Sequence, residues 1–186
     1  MTNSEIAVIV IVVIIVAAAV ALYFLQQQRT RRLRARFGPE YDRTVGLSRN
    51  RWQAERDLER RQRRMEKIHI RPLSPQESDR FGDQWRGIQS RFVDDPAGST
   101  RDADRLVSEL MEVRGYPTTD FEHRVADLSV EHPNVVRNYR AAHAIALGVD
   151  EGRTSTEDLR QALVHYRDLF DDLLEVQPVG PRGARR

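Results

Sequence analysis

Twenty consecutive residues, Ile6 to Leu25, contain no charge, no amide, no Gly and no Pro. They read IAVIVIVVIIVAAAVALYFL. As a helix rising about 1.5 Å per residue, the run is roughly 30 Å long, the hydrocarbon thickness of a bilayer. In lipid each peptide N–H and C=O must be satisfied within the segment. A lone stretch of chain therefore crosses as a helix, whatever the modest helix preference of Val and Ile. The run predicts a single transmembrane helix from Ile6 to Leu25 after a short flank, residues 1–5. Tyr23 is suited to the headgroup level.

A cleaved secretory leader is the first alternative. It calls for a basic start, a shorter apolar stretch and a small-residue cleavage site. The start here, MTNSE, has no Lys or Arg and the run is long, although Ala17-Ala18-Ala19 resembles a cleavage site. The length also argues against a buried helix of a soluble core.

Orientation follows from flanking charge. Arg29, Arg31, Arg32, Arg34 and Arg36 follow the run, and no basic side chain precedes it. Topology bias from Lys and Arg then places the N-terminus outside and the rest of the chain in the cytoplasm. The chain has no Cys, which is compatible with a reducing compartment.

About 160 residues remain, enough for one domain with a real core. Lys67 is the only Lys, a bias that fits a GC-rich bacterial genome. From Arg29 to Arg71 there are 15 basic and 6 acidic residues, a net of +9; from Pro72 onward the net is −6. The chain reads as an apolar anchor, a cationic neck (residues 26–72) and an acidic body (residues 73–176). The early Arg residues can contact an anionic leaflet; Arg60, Arg61, Arg63 and Arg64 reach lipid only if the neck folds back.

Phe37-Gly38-Pro39 should stop the first helix. One neck helix is expected over about Ser48 to Lys67, with Leu47, Ala54, Leu58 and Met65 on a narrow stripe. Arg61 interrupts that stripe and Trp52 lies off it, so docking on the body fits better than a coiled coil with a second copy.

Beyond Pro72 the caps become regular. Ser74-Pro75-Gln76-Glu77 is an N-cap, a first-turn Pro and a capping-box carboxylate, ahead of Phe81, Trp85, Ile88 and Phe92. A helix from about Thr100 to Arg114 places Ala103, Leu106, Val107, Leu110 and Met111 inward, and Gly115 and Pro117 stop it. Thr119 and Glu122 suggest a capping box before Phe121, Val125 and Leu128. Pro133 opens a helix aligning Val136, Tyr139, His143 and Leu147, with Gly148 closing it. Ser155 and Asp158 cap the last helix, whose stripe is Leu159, Leu163, Tyr166, Phe170 and Leu173. The tail, residues 177–186, should be disordered. The prediction is an all-α protein: a transmembrane helix, a basic helical neck, and a bundle of about five helices.

Chemistry is thinly signalled. His69, His123, His132, His143 and His165 show no HExxH spacing, and no phosphate-loop, nucleophile-elbow or EF-hand pattern occurs. His143 lies on an apolar helix face beside Tyr139, so a ligand site near Tyr139, His143 and Tyr166 stands against a plain core histidine. Asp94 and Asp95 with Asp120 or Glu131 could take a divalent cation, or Asp95 simply caps the helix at Pro96. No cofactor or metal is expected. The neck interleaves Glu55, Asp57, Glu59 and Glu66 with its Arg residues, and the body is acidic, so nucleic acid is not an expected partner.

Several strings occur together: RFGPEYDRTV, IRPLSPQE, FVDDP, MEVRGYPTTDFEHRVADLSVEHP and STEDLRQALVHYRDLF. Over roughly Phe37 to Leu174 they resemble an uncharacterised bacterial family of small single-pass membrane-anchored helical proteins. The resemblance implies a bacterial inner-membrane location and carries no catalytic residue. The expected function is a non-enzymatic, membrane-tethered helical interaction module with the bilayer and another protein as partners. The alternatives are a ligand-binding or enzymatic bundle at Tyr139, His143 and Tyr166, and an anionic-lipid sensor built on the neck.

Overall fold

The computed structural model describes residues 3–117, 120–150 and 154–175, with side chains from Ile11 onward, Asp150 excepted. Among these residues there are eight α-helices and no strand. They are α1 (Asn3–Phe37), α2 (Pro39–Leu47), α3 (Arg51–Met65), α4 (Pro75–Arg91), α5 (Pro96–Val113), α6 (Phe121–Glu131), α7 (Val136–Asp150) and α8 (Thr156–Glu175). The chain divides into two compact units, one up to Leu58 and one from Glu59, so the boundary lies within α3.

The first unit begins with α1, 35 residues long and hence about 52 Å. From Ile11 to Leu25 every side chain is exposed, with a mean hydropathy of 2.0 over the most apolar window. The helix is long and apolar enough to cross a membrane, a property shared by anchors and signal sequences. It passes through Ala17–Ala19 and Leu25 without a break and changes character at its far end. There Thr30, Leu33 and Phe37 are buried, three and four residues apart on one face.

Gly38, at φ 49°, ends α1 as expected, because Pro39 cannot donate the next helical hydrogen bond. The chain does not stay irregular afterwards. Pro39 opens α2, a nine-residue helix absent from the sequence expectation, with Glu40 and Asp42 in its first turn. α2 buries Glu40, Tyr41 and Thr44, so only one large apolar residue marks it. α3 then starts at Arg51 rather than Ser48, because Asn50 is the cap: its side-chain oxygen accepts from the Gln53 N–H at 2.9 Å. Ala54 and Leu58 are buried as expected, but Leu47 ends α2 and is 77 % exposed.

The second unit carries the five-helix bundle, α4 to α8, together with the end of α3. α8 packs on α5 and α7, α4 on α5, and α6 on α7. The capping box of α4 forms as expected: Ser74 Oγ accepts from the Glu77 N–H, and the Glu77 carboxylate accepts from the Ser74 N–H. The Ser155–Asp158 pair does the same for α8. Trp85 stacks on Phe170 at 4.7 Å between ring centres.

Four details differ from expectation. α5 begins at Pro96 rather than near Thr100, because Asp95 caps it as expected, through the Gly98 N–H at 2.8 Å. Asp120, not Thr119, caps α6 by accepting from the His123 N–H; Thr119 and the tail 177–186 lie outside the described residues. Pro133 opens a turn, and α7 starts only at Val136. α7 also runs past Gly148, and Leu147 is 58 % exposed.

Gly115 closes α5 at φ 92°, and a Cβ there would lie 2.8 Å from the His69 carbonyl oxygen. Beside it Arg114 is almost fully buried. Its Nη1 donates to the Leu173 carbonyl at 2.7 Å in the last turn of α8, where a cation is favoured. Its own carbonyl accepts from the Arg71 N–H.

Candidate functional site

Tyr139 and His143 are one turn apart on α7 and face Tyr166 of α8. The structure brings the three together. The Tyr139 and Tyr166 rings meet edge to face at 6.2 Å, and His143 lies flat on Phe121 with centres 3.7 Å apart. The hub is Asp104 of α5. Tyr166 Oη donates to its Oδ1 at 2.9 Å, and His143 Nδ1 lies 3.6 Å from the same oxygen, at ion-pair range.

Burial pushes the Asp104 carboxyl up, but contact with His143 and Tyr166 outweighs it, and the group sits below the usual aspartate value. Burial, then the Asp104 charge, pushes the Tyr166 phenol up. Tyr139 is pushed up to about 12, chiefly by burial. Its Oη has no hydrogen-bond partner among the described residues. Both phenols are fully buried and stay protonated, and Asp104 serves as an acceptor. A surface groove of about 350 Å³ between α4 and α5 is lined by Gln84, Arg91, Asp102, Arg105 and their neighbours, away from this cluster.

A second buried chain has no signal in the sequence. His132 caps the C-terminus of α6. Its Nδ1 lies 2.5 Å from Asp172 Oδ2 and its Nε2 2.9 Å from Tyr116 Oη, while Tyr116 donates to Glu131 Oε2 at 3.0 Å. The phenol has one proton, and it goes to Glu131. Burial and the Glu131 charge push the Tyr116 phenol up.

Three of the four acidic residues that could take a cation have other work. Asp95 and Asp120 cap helices and Glu131 receives Tyr116. Among the described residues no three His, Cys, Asp or Glu side chains gather to hold a metal ion.

The neck is organised around Glu55, a fully buried carboxylate on α3. It accepts from Thr30 Oγ1 at 2.7 Å, Tyr41 Oη at 2.9 Å and Arg51 Nε at 3.1 Å. Gln26 Nε2 lies at 3.4 Å and Arg29 Nε at 4.0 Å. Burial pushes this carboxyl up, yet the hydrogen bonds from Thr30, Tyr41 and Arg51 outweigh it and hold it below the ordinary range. One acidic group thus ties α1, α2 and α3 together. No periodicity announces it, because in the sequence Glu55 is one of several acids among arginines.

The five arginines after the apolar run divide by role. Arg29 leans on Glu55, and Arg34 pairs with Asp42 at 3.0 Å and lies over the Tyr41 ring. Arg31, Arg32 and Arg36 are exposed, with no partner among the described residues. Further on, Arg64 pairs with Asp127, which is 1 % exposed. Arg60 and Arg61 also have partners, while Arg63 is exposed.

Comparison of the chain with protein-family models, with curated proteins and with solved structures finds no match.

Proposed function

We propose that this protein is a single-pass, membrane-tethered helical interaction module, with its N-terminus outside and its two folded units in the cytoplasm of a bacterium. The observation that carries the reading is the continuity of α1. From Ile11 to Leu25 its side chains are all exposed, while the same unbroken helix buries Thr30, Leu33 and Phe37 in a folded unit. A discarded leader has no use for a helix that continues into the fold. A tether does, because it holds the folded part at the membrane surface and raises its effective concentration towards partners there. The cationic side chains after Leu25 support the orientation. The closed aromatic cluster at Tyr139, His143 and Tyr166 supports a binding role for the surface of the bundle over a catalytic one for its interior.

A reporter active only in the cytoplasm, fused after Arg186, should be active, and the chain should resist alkaline extraction from membranes. An inactive reporter inverts the topology, and extraction refutes the anchor. Capture in mild detergent, with and without the bundle, tests the interaction role. Failure of the bundle to enrich any protein would count against it.

A further inference from the structure

Two exposed apolar side chains of the first unit, Leu47 and Trp52, are unexplained by its packing; they are 77 % and 51 % exposed. Their height along α1 can be read from two directions. Only Gly38 separates α1 from α2, and the two helices pack on each other. Arg34, four residues before Gly38, pairs with Asp42, four residues after it. The ion pair turns α2 back towards α1, and an equal number of residues counted from Gly38 along each helix puts Leu47 level with Arg29. That is about 6 Å past Leu25. From the other direction, Glu55 is hydrogen-bonded to Gln26 and Thr30, in the first turns after the apolar run. The segment from Leu47 to Glu55 is thus held at both ends level with the point where α1 turns from apolar to polar.

The chemistry of this corner suits that level. Trp is favoured at the headgroup boundary, with an apolar body and a polar N–H. The Arg56 guanidinium lies over the Trp52 ring at 4.4 Å. Arg43 and Arg49 are exposed and have no partner among the described residues. Arginine is suited to phosphate oxygens, and cationic groups at an anionic leaflet are attracted to it.

We propose that the α2–α3 corner is a second membrane contact. Leu47 and Trp52 enter the headgroup region of the leaflet that α1 leaves, and Arg43, Arg49 and Arg56 engage anionic lipid phosphates. This rests on the spanning reading of α1. The contact pins the neck to the surface at a second point and fixes its rotation about the anchor.

The test uses the full chain in vesicles of phosphatidylcholine and phosphatidylglycerol in equal parts, with bromine on the acyl chains near the carbonyls. Trp85 is buried in the bundle, so the difference between the parent and Trp52→Phe isolates Trp52 emission. That emission should lose most of its intensity, and the loss should shrink in phosphatidylcholine alone or in Arg43→Gln/Arg49→Gln. A Tyr23→Trp probe in the Trp52→Phe background reports the anchor. Quenching at position 23 without quenching at Trp52 overturns the hook and leaves the anchor standing, as it would if Trp52 faced a protein partner. No quenching at position 23 removes the spanning reading itself. Trp52 quenching that ignores lipid charge overturns the role given to the arginines.

Discussion

Replacing Glu55 by Leu should loosen α2 from α1 and α3 without unfolding the bundle. The change removes the acceptor of Thr30 Oγ1 and Tyr41 Oη, both on buried residues. Each orphaned buried group costs about 1–3 kcal/mol. Arg51 is 54 % exposed along its side chain and turns to water at little cost. Allowing for the apolar gain of Leu and for Thr30 bonding back to its own helix, the net loss is about 2–4 kcal/mol. At about 1.4 kcal/mol per factor of ten, α2 should open roughly 30- to 1000-fold more often.

Amide hydrogen exchange on the full chain in micelles reads this directly, with the amides of α5 and α8 as an internal reference. Glu55→Gln keeps the shape and one acceptor oxygen, so its loss should be smaller. The parent should also be acid-sensitive here. The folded Glu55 carboxyl lies below its reference value of 4.5, so its contribution is complete above that value and is lost as pH falls through the folded one. α2 protection in the parent should fall on acidification past 4.5, and this part of the slope should vanish in Glu55→Gln. Protection of α2 in Glu55→Leu within about threefold of the parent would mean that apolar packing, not the polar network, holds the neck.

Gly115→Ala should destabilise the second unit by at least about 1–2 kcal/mol through its positive φ and the clash with the His69 carbonyl, seen as a lower melting temperature by circular dichroism. Arg64→Met leaves Asp127 buried without its guanidinium; because Arg64 is 42 % exposed along its side chain and water can replace it, the loss should be about 1–3 kcal/mol in the same assay. Tyr166→Phe removes a donor to Asp104 and should cost about 1.5–3 kcal/mol. It should also raise the Asp104 carboxyl, so an NMR titration of its side chain moves to higher pH and acid unfolding begins earlier.

The bundle was readable because each of its helices carries an apolar stripe and most carry a cap. Ser74 with Glu77, Asp95 before Pro96, and Ser155 with Asp158 are local devices that work as their types dictate. Asp120 caps α6, and residue types alone do not choose between neighbouring residues that can each accept from a first-turn N–H. α2 is invisible in the sequence because nine residues with one buried aromatic give no period to detect. The buried polar groups were the least legible. Glu55, Asp104, Asp127 and His132 look like solvated charges until the fold supplies Thr30, Tyr166, Arg64 and Asp172. Tyr139, His143 and Tyr166 are legible as a group because they share apolar faces, yet their hub Asp104 lies on α5, on the edge of a stripe rather than in it.

The unbroken course of α1 has a mechanical consequence. No Gly, Pro or irregular turn separates Leu25 from Phe37, so the two ends of that stretch move as one rod. On the proposed arrangement, about 18 Å of this rod projects beyond the hydrocarbon. A change in tilt of about 20°, the usual lean of a spanning helix, would carry Phe37 sideways by about 6 Å. Bilayer thickness sets tilt, so a stiff lever of this kind converts a property of the lipid into the position of whatever is folded onto its end.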